Sequence, residues 1–354
     1  MAFLSEDVRK LLHNRFIVVI GDSIQRGIYK DIVLLLNGNR YLTEQELKNK
    51  GEYNFLNDEL IEGGRKGEMC NGINYTEVRQ YQTDNHLVRF YFITRCYSNY
   101  LESILSDLQK DPLPDILIIN SCLWDITRYG RDAINEYKDN LEKVFQRFAE
   151  CLPKHCLVLW NTTLPISPSA RGGFLVPEIE FMTSTLRLDI IEANYFAQSI
   201  AMKHGHDVLD LHFYLRHHLH RRVRDGIHWD MLAHRYITNL ILTHICSAWH
   251  LPMQSRRPVL FEDLRSFIDT KRERHPSPKK QNHGYFQFGS SETNNFHSSS
   301  ARKMSHLEPH YDLNMGSYTW QPYSQDPRGG RVMREHHYRH QPYRHRHNSH
   351  YYNY

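Results

Sequence analysis

The sequence predicts an α/β fold, a three-layer α/β/α domain over residues 1–251, followed by a disordered tail over 252–354. Three observations predict it. Short, wholly apolar runs alternate with longer stretches of helical spacing, the pattern of parallel strands joined by crossover helices. A Gly-Asp-Ser closes the first apolar run, and an Asp-x-x-His precedes the last apolar helix. Composition also changes sharply near Pro252. Residues 252–354 hold 16 Lys+Arg against 9 Asp+Glu, a net +7, whereas residues 1–251 hold 28 against 31, a net −3.

Taken in order, Phe16–Ile20 reads as a buried strand ending at Gly21-Asp22-Ser23. Ile24 to Asn37 then shows helical spacing through Ile28, Ile32, Val33, Leu35 and Leu36. Residues 38–86 interrupt the alternation with a polar insertion that includes Glu62-Gly63-Gly64-Arg65-Lys66-Gly67. Strands are expected again at Leu87–Ile93, Ile116–Asn120, Leu157–Asn161 and Val208–Leu211, with helices at Ser98–Gln109, Asp132–Glu150 and Glu180–His204. The Asp132 helix places Ile134, Tyr137, Leu141, Val144, Phe145 and Phe148 on one face. A last helix runs from Met231 to Ile245. Near-continuous apolar strands suit a mostly parallel, five-stranded sheet covered on both faces. In such a sheet reacting groups gather at the C-terminal edge, where Ser23, Asn120, Asn161 and the Asp225 loop all fall.

A serine at a strand-to-helix junction sits beside free backbone N–H groups, the donors an attacking nucleophile needs when an oxyanion forms. A hydroxyl also needs a base, and the base an orienting group. Asp225-Gly226-Ile227-His228 supplies both from one loop. Ser23 is thus the expected nucleophile, His228 the general base, and Asp225 the residue that orients the imidazole. Imidazole suits the task because its unperturbed pKa of about 6.5 lets it take and return a proton near neutrality. Taken singly, each motif has a plainer reading, a Ser N-cap after a turn or a surface polar pair. Asp210-Leu211-His212 and the run His217, His218, His220 are rival imidazoles, but Arg216, Arg221, Arg222 and Arg224 give that loop the look of a basic surface, or of a rim that attracts an anionic substrate. Asp230 is expected to cap the last helix.

The order Ser, Asp, His without a Gly-x-Ser-x-Gly elbow sets the chain apart from the ordinary α/β-hydrolase. On Gly21-Asp22-Ser23 and Asp225-x-x-His228 it resembles the SGNH/GDSL hydrolase superfamily. Ile118-Ile119-Asn120-Ser121-Cys122-Leu123-Trp124-Asp125 and Asp225-Gly226-Ile227-His228-Trp229 resemble the PC-esterase branch, most nearly its PC-esterase domain-containing protein 1 group. The likeness spans roughly residues 10–250 and implies an SGNH-hydrolase-like fold, a catalytic Ser-Asp-His triad and hydrolysis or transfer of an acyl ester. The wider superfamily supplies its oxyanion hole from a glycine after the second strand and an Asn in a Gly-x-Asn-Asp block. Here Thr94-Arg95-Cys96 follows that strand, Cys122 and Trp124 stand at the Gly and Asn positions, and Asn120 lies four residues early. The Ser23 N–H is therefore the first oxyanion donor and Asn120 the candidate second. Trp124, Asn161 and Trp229 are the candidates for lining a substrate cleft. The alternative for Trp229 is core packing, and for Asn161-Thr162-Thr163-Leu164-Pro165 a Pro-stiffened loop.

No nucleotide fingerprint or zinc pairing of the six cysteines is present, so no cofactor and no metal are expected. Cys96, Cys122 and Cys156 read as small buried residues. No run approaches the roughly 20 apolar residues of a membrane span, and the acidic start lacks a leader, so the cytosol or nucleus is the expected location. That departs from the secretory, glycan-directed character of the wider branch. In the tail, Arg331–Tyr354 interleaves six His, five Tyr and five Arg, and only Val259–Ile268 has helical spacing. Such a segment is expected to be disordered, and it can contact nucleic acid or an acidic protein. The expected partner of the domain is an acylated substrate. A catalytically silent scaffold with the same fold is the rival, favoured by the displaced oxyanion residues.

Overall fold

The computed structural model describes residues 3–64, 72–170 and 182–252. The tail from 253, including Val259–Ile268, lies outside the described residues, as do Arg65-Lys66-Gly67, Cys70, Gly172-Gly173 and the start of the helix expected from Glu180.

In chain order the elements are α1 (Ser5–Leu11), β1 (Arg15–Gly21), α2 (Ser23–Asn37), α3 (Glu44–Lys48), β2 (Glu59–Gly63), β3 (Glu77–Thr83), β4 (His86–Phe92) and α4 (Asn99–Leu108). There follow β5 (Ile116–Ile119), α5 (Leu123–Arg128), α6 (Ala133–Cys151), β6 (Leu157–Asn161), α7 (Leu186–Lys203), β7 (Asp207–Leu209), α8 (Leu211–Leu215) and α9 (Met231–Ala248). They build one seven-stranded sheet in the order β2-β3-β4-β1-β5-β6-β7. The five expected strands form its parallel portion, β4-β1-β5-β6-β7. The insertion adds an antiparallel pair, β2 and β3, on the β4 edge. At the opposite edge β7 ends at Leu209, two residues short of the expectation, because the Asp210 carboxylate accepts from the Phe213 N–H and starts α8 instead.

Alternation along the strands explains the layers. Ile17 and Val19 of β1, Ile116 and Ile118 of β5, and Leu157 and Leu159 of β6 pack beneath α1, α2 and α9. Their neighbours Phe16, Val18, Ile20, Leu117, Ile119, Val158 and Trp160 face the other way, onto α4, α6 and α7. Helices cover both faces, so every central strand is apolar on both sides. α2 follows β1 onto one face and α6 follows β5 onto the other. The carboxyl ends of β1 and β5 therefore flank a topological switch point, where open sheets bind ligands. Ser23 and Asn120 sit at those two ends. Among the described residues no helix is long and apolar enough to cross a membrane.

The insertion grips α2 through buried charge. Arg79 of β3 holds Asp58 with two hydrogen bonds of 2.8 and 2.9 Å, and Asp58 also accepts from Tyr29 of α2 at 3.0 Å. Glu77 of β3 takes a 2.8 Å bond from Arg26 of α2. Lys30 of α2 pairs with Glu52 and donates to the Glu46 and Asn49 carbonyls. On its other side α2 is tied to α9 by a two-bond Arg235–Asp31 pair, 2.9 Å for each bond.

Candidate active site

The site begins at Gly21, the last residue of β1. Its φ of +151° and its closeness to Asn120 require glycine, since a Cβ there would lie 2.6 Å from the Asn120 carbonyl oxygen. Asp22 then turns the chain and caps α2, accepting from the Ile24 N–H at 2.8 Å. Burial raises the Asp22 pKa, while that amide bond and the His228 charge work the other way. Ser23 is thereby the first helical residue, and its own N–H has no intrahelical acceptor.

Asp225 and His228 come from a loop folded on itself. The Val223 N–H donates to the His228 carbonyl at 2.8 Å, and the Gly226 N–H to the Val223 carbonyl at 2.9 Å. Gly226 has φ +79° and meets the Ser167 loop so closely that a Cβ would fall 2.5 Å from Ser167 Cβ. The Ser167 N–H donates to its carbonyl at 2.8 Å, pinning the loop to the segment after β6.

These supports bring the three residues into one line. Ser23 Oγ lies 2.7 Å from His228 Nε2, and His228 Nδ1 lies 2.7 Å from Asp225 Oδ2. The second Asp225 oxygen accepts from the Ile227 and His228 amides at 2.8 and 2.9 Å. Burial pushes the Asp225 pKa up, but the imidazole and the two amides outweigh it and hold the carboxyl well below the usual carboxylate range. A carboxylate at Nδ1 assigns the ring proton to that nitrogen and leaves Nε2 as the acceptor facing the Ser23 hydroxyl. The His228 and Asp225 side chains remain 45% and 35% exposed, so the line is open to an incoming molecule.

The other sequence candidates divide. Both amide hydrogens of Asn120 are taken, by the Asn161 carbonyl at 2.9 Å and Thr163 Oγ1 at 3.0 Å. Its expected role as second oxyanion donor is therefore corrected: no N–H of that amide is left to give. Asn161 is fully buried, with Nδ2 turned to Gln25 Oε1 at 3.4 Å, and so braces β6 against α2 instead of lining a cleft. Trp229 is 1% exposed and packs in the core under α2 and α9, which decides for core packing. Trp124 is half-buried, edge-on to Phe92 with Arg128 over its ring, and stays at the surface. Asp230 caps α9 through the Ala233 N–H. His212 faces the Thr163 carbonyl at 2.9 Å through Nδ1, and burial lowers its basicity. His218 lies against Tyr236. Cys96, Cys122 and Cys156 are buried.

Sequence reading gave no role to several residues behind the line. A cavity of about 20 Å³, the size of one water, lies among Asp22, Ile24, Asn120, Thr163, Ile166 and Ile227. Asp125 is buried and accepts from the Cys96 N–H at 2.8 Å and from the Ser121 hydroxyl, and burial pushes its pKa up to about 6. The only available signal for Asp125 was its register in the block after β5.

No family model matches the chain. It is 50% identical over 260 residues to PC-esterase domain-containing protein 1A of Mus musculus, covering 72% of this chain and 58% of that one. To PC-esterase domain-containing protein 1B of Homo sapiens it is 47% identical over 257 residues, or 72% and 60% of the two chains. The chain thus spans less than two thirds of the length of these relatives. Among solved structures, a lipase/acylhydrolase from Enterococcus faecalis aligns with 69% of this chain and 100% of its own, at 16% identity and a TM-score of 0.39.

Proposed function

We propose that this chain, which over its aligned 72% belongs with the PC-esterase domain-containing proteins 1A and 1B, is a serine esterase acting through Ser23, His228 and Asp225. The observation that carries the reading is the unbroken hydrogen-bonded line from Ser23 Oγ through both ring nitrogens of His228 to an ionised Asp225. In this mechanism Ser23 Oγ attacks the ester carbonyl while its proton passes to Nε2. Asp225 stabilises the imidazolium through Nδ1 without taking its proton. The negative oxygen of the tetrahedral intermediate is met by the Ser23 N–H at the start of α2, where the helix dipole adds to the field. Collapse breaks the C–O bond to the alcohol, which leaves with the proton from Nε2 and an acyl group on Ser23. Water, deprotonated by the same nitrogen, then hydrolyses the acyl-serine; an acceptor alcohol in its place gives acyl transfer.

A second reading has its own support. With Asn120 engaged elsewhere, the Ser23 N–H is the one oxyanion donor identified, and losing a donor costs about 10²–10³ in rate. A catalytically silent domain that binds acylated ligands fits that shortage. Fluorophosphonate labelling separates the two. The esterase reading expects one labelled serine in the full chain and none in Ser23→Ala. Equal labelling of both, or of neither, removes it.

A further inference from the structure

The cavity behind the catalytic line is walled by the immediate neighbours of both reacting residues. Asp22 and Ile24 stand on either side of Ser23, Ile227 precedes His228, and all three line it. The remaining apolar wall comes from Leu123 at the start of α5, Leu164 and Ile166 after β6, and Leu211 at the start of α8. Ile24, Leu123, Leu164 and Ile166 are 9, 7, 5 and 6% exposed, while Ile17, Ile118 and Leu159 of the same sheet are at 1, 0 and 0%. The cavity therefore lies where the core meets the surface. Its polar wall groups are spent within the protein. Asn120 donates to the Asn161 carbonyl and to Thr163 Oγ1, Thr162 donates to Asp210 at 3.0 Å, and Gln25 accepts from Asn161 at 3.4 Å. Asp22 is held by the Ile24 N–H. A water needs two to four polar partners, so a space of about 20 Å³ lined in this way suits a methyl group better than a water.

The two halves of an ester part in opposite directions from the carbonyl that Ser23 attacks. The alcohol half leaves with the proton held on His228 Nε2, so it lies on the side of the imidazole, which is 45% exposed and opens to solvent. The acyl half is left to the inner side, where the cavity adjoins the Ser23 turn. We propose that this cavity receives the acyl chain and, by its size, admits acetyl and excludes longer chains. The inference rests on the esterase reading and narrows its substrates to acetyl esters. Each further methylene must displace a wall side chain packed in the core, and one methylene more or less in an apolar pocket changes the rate about 10–200-fold. The alcohol half, facing solvent, meets no such limit.

The test compares kcat/KM of the full chain on p-nitrophenyl acetate, butyrate and octanoate, with Ser23→Ala as the blank. Acetate is expected to lead butyrate by about tenfold or more, with octanoate slower still. Ile166→Ala and Ile227→Ala enlarge the cavity from two different segments, and each should raise butyrate relative to acetate by about tenfold. Fluorophosphonate labelling of Ser23 shows that a variant is folded with its nucleophile intact. Ile227 stands on the partly exposed loop, so that variant carries the test if Ile166→Ala fails to fold. Octanoate hydrolysed as fast as acetate, or an unchanged chain ranking in a labelled Ile227→Ala, overturns the acyl cavity and leaves the esterase reading standing. Labelling of Ser23 without turnover of acetate also overturns it, since the ester that fits must reach an active serine. A chain that neither labels nor hydrolyses any of the three loses the esterase reading, and the cavity assignment falls with it.

Discussion

Ser23 is delivered by the centre of the molecule, whereas Asp225 and His228 are delivered by its surface. The serine follows the middle strand of the sheet and opens a helix buried along nearly its whole length. That helix is gripped by Arg79, Asp58, Glu77 and Glu52 on one side and by Arg235 on the other. The histidine stands on a half-exposed loop kept in shape by its own amides and by the Ser167 contact. The contrast teaches which perturbations are separable. On the proposed function, changes around α2 should strike the fold and the site together, while changes in the loop should strike the chemistry and leave the fold.

The largest effect should come from breaking the line itself. Ser23→Ala and His228→Ala are each expected to lower ester hydrolysis by about 10⁴-fold or more, and the double variant to fall scarcely further, since such groups act as a unit. Both should unfold in denaturant within about 0.5 kcal/mol of wild type, as substitutions away from the core do. Independent, multiplying losses would mean that the two residues do not share one step.

Next in size is the grip on α2. Arg79→Ala leaves Asp58 buried without its partner and should cost about 3–5 kcal/mol in urea unfolding. Asp225→Ala, in the loop, should cost about 1 kcal/mol while removing most activity. Comparable losses of stability from the two would erase the distinction between the regions.

His234 of α9 provides a smaller, pH-dependent test. It is buried over Gly27 of α2, and burial, opposed by Asp31, brings its pKa down to about 4. The unfolded chain takes up this proton near pH 6.5, and the folded chain only near pH 4. Between those values the unfolded state holds more protons, so stability falls with falling pH, by up to about 3 kcal/mol across the window. His234→Gln should flatten the slope between pH 6.5 and 4. An unchanged slope would assign it to other groups.

How much of this was legible in the sequence follows the same division. The central strands were, because apolar side chains on both faces leave an unbroken run, as in Phe16–Ile20 and Ile116–Ile119. So were Ser23 and the Asp225 loop, because a strand end and a helix start fix them locally. β3 was not. Its buried side chains include Glu77 and Arg79 beside Val78 and Tyr81, so charge points inward and the usual alternation vanishes. The Asp84-Asn85 turn between β3 and β4 was the remaining sign of a hairpin. Asn120, Asn161 and Trp229 were placed correctly at strand ends or beside the histidine, but position along the chain does not say which way a side chain is spent. Asn120 bonds across to Asn161 and Thr163, partners more than forty residues away, and only the assembled sheet brings them together.

The smallest effect falls where the two regions meet. Asp230 ends the loop and caps α9, accepting from the Ala233 N–H at 2.9 Å and from Arg221 at 3.2 Å. Asp230→Ala removes the cap and the ion pair together, and should cost about 1 kcal/mol. In a domain of this size that lowers the thermal midpoint by about 2–4 °C. Asp230→Asn keeps a capping oxygen and discards the charge, so it separates the two contributions. The Arg221 side chain is 10% and the Asp230 side chain 26% exposed, so the pair is only partly screened by solvent. The asparagine variant should therefore lose the pair's share, about 1 kcal/mol or less, while keeping the cap. If asparagine costs as much as alanine, the Arg221–Asp230 pair holds the base of the loop, and His228 depends on a charge beyond its own turn.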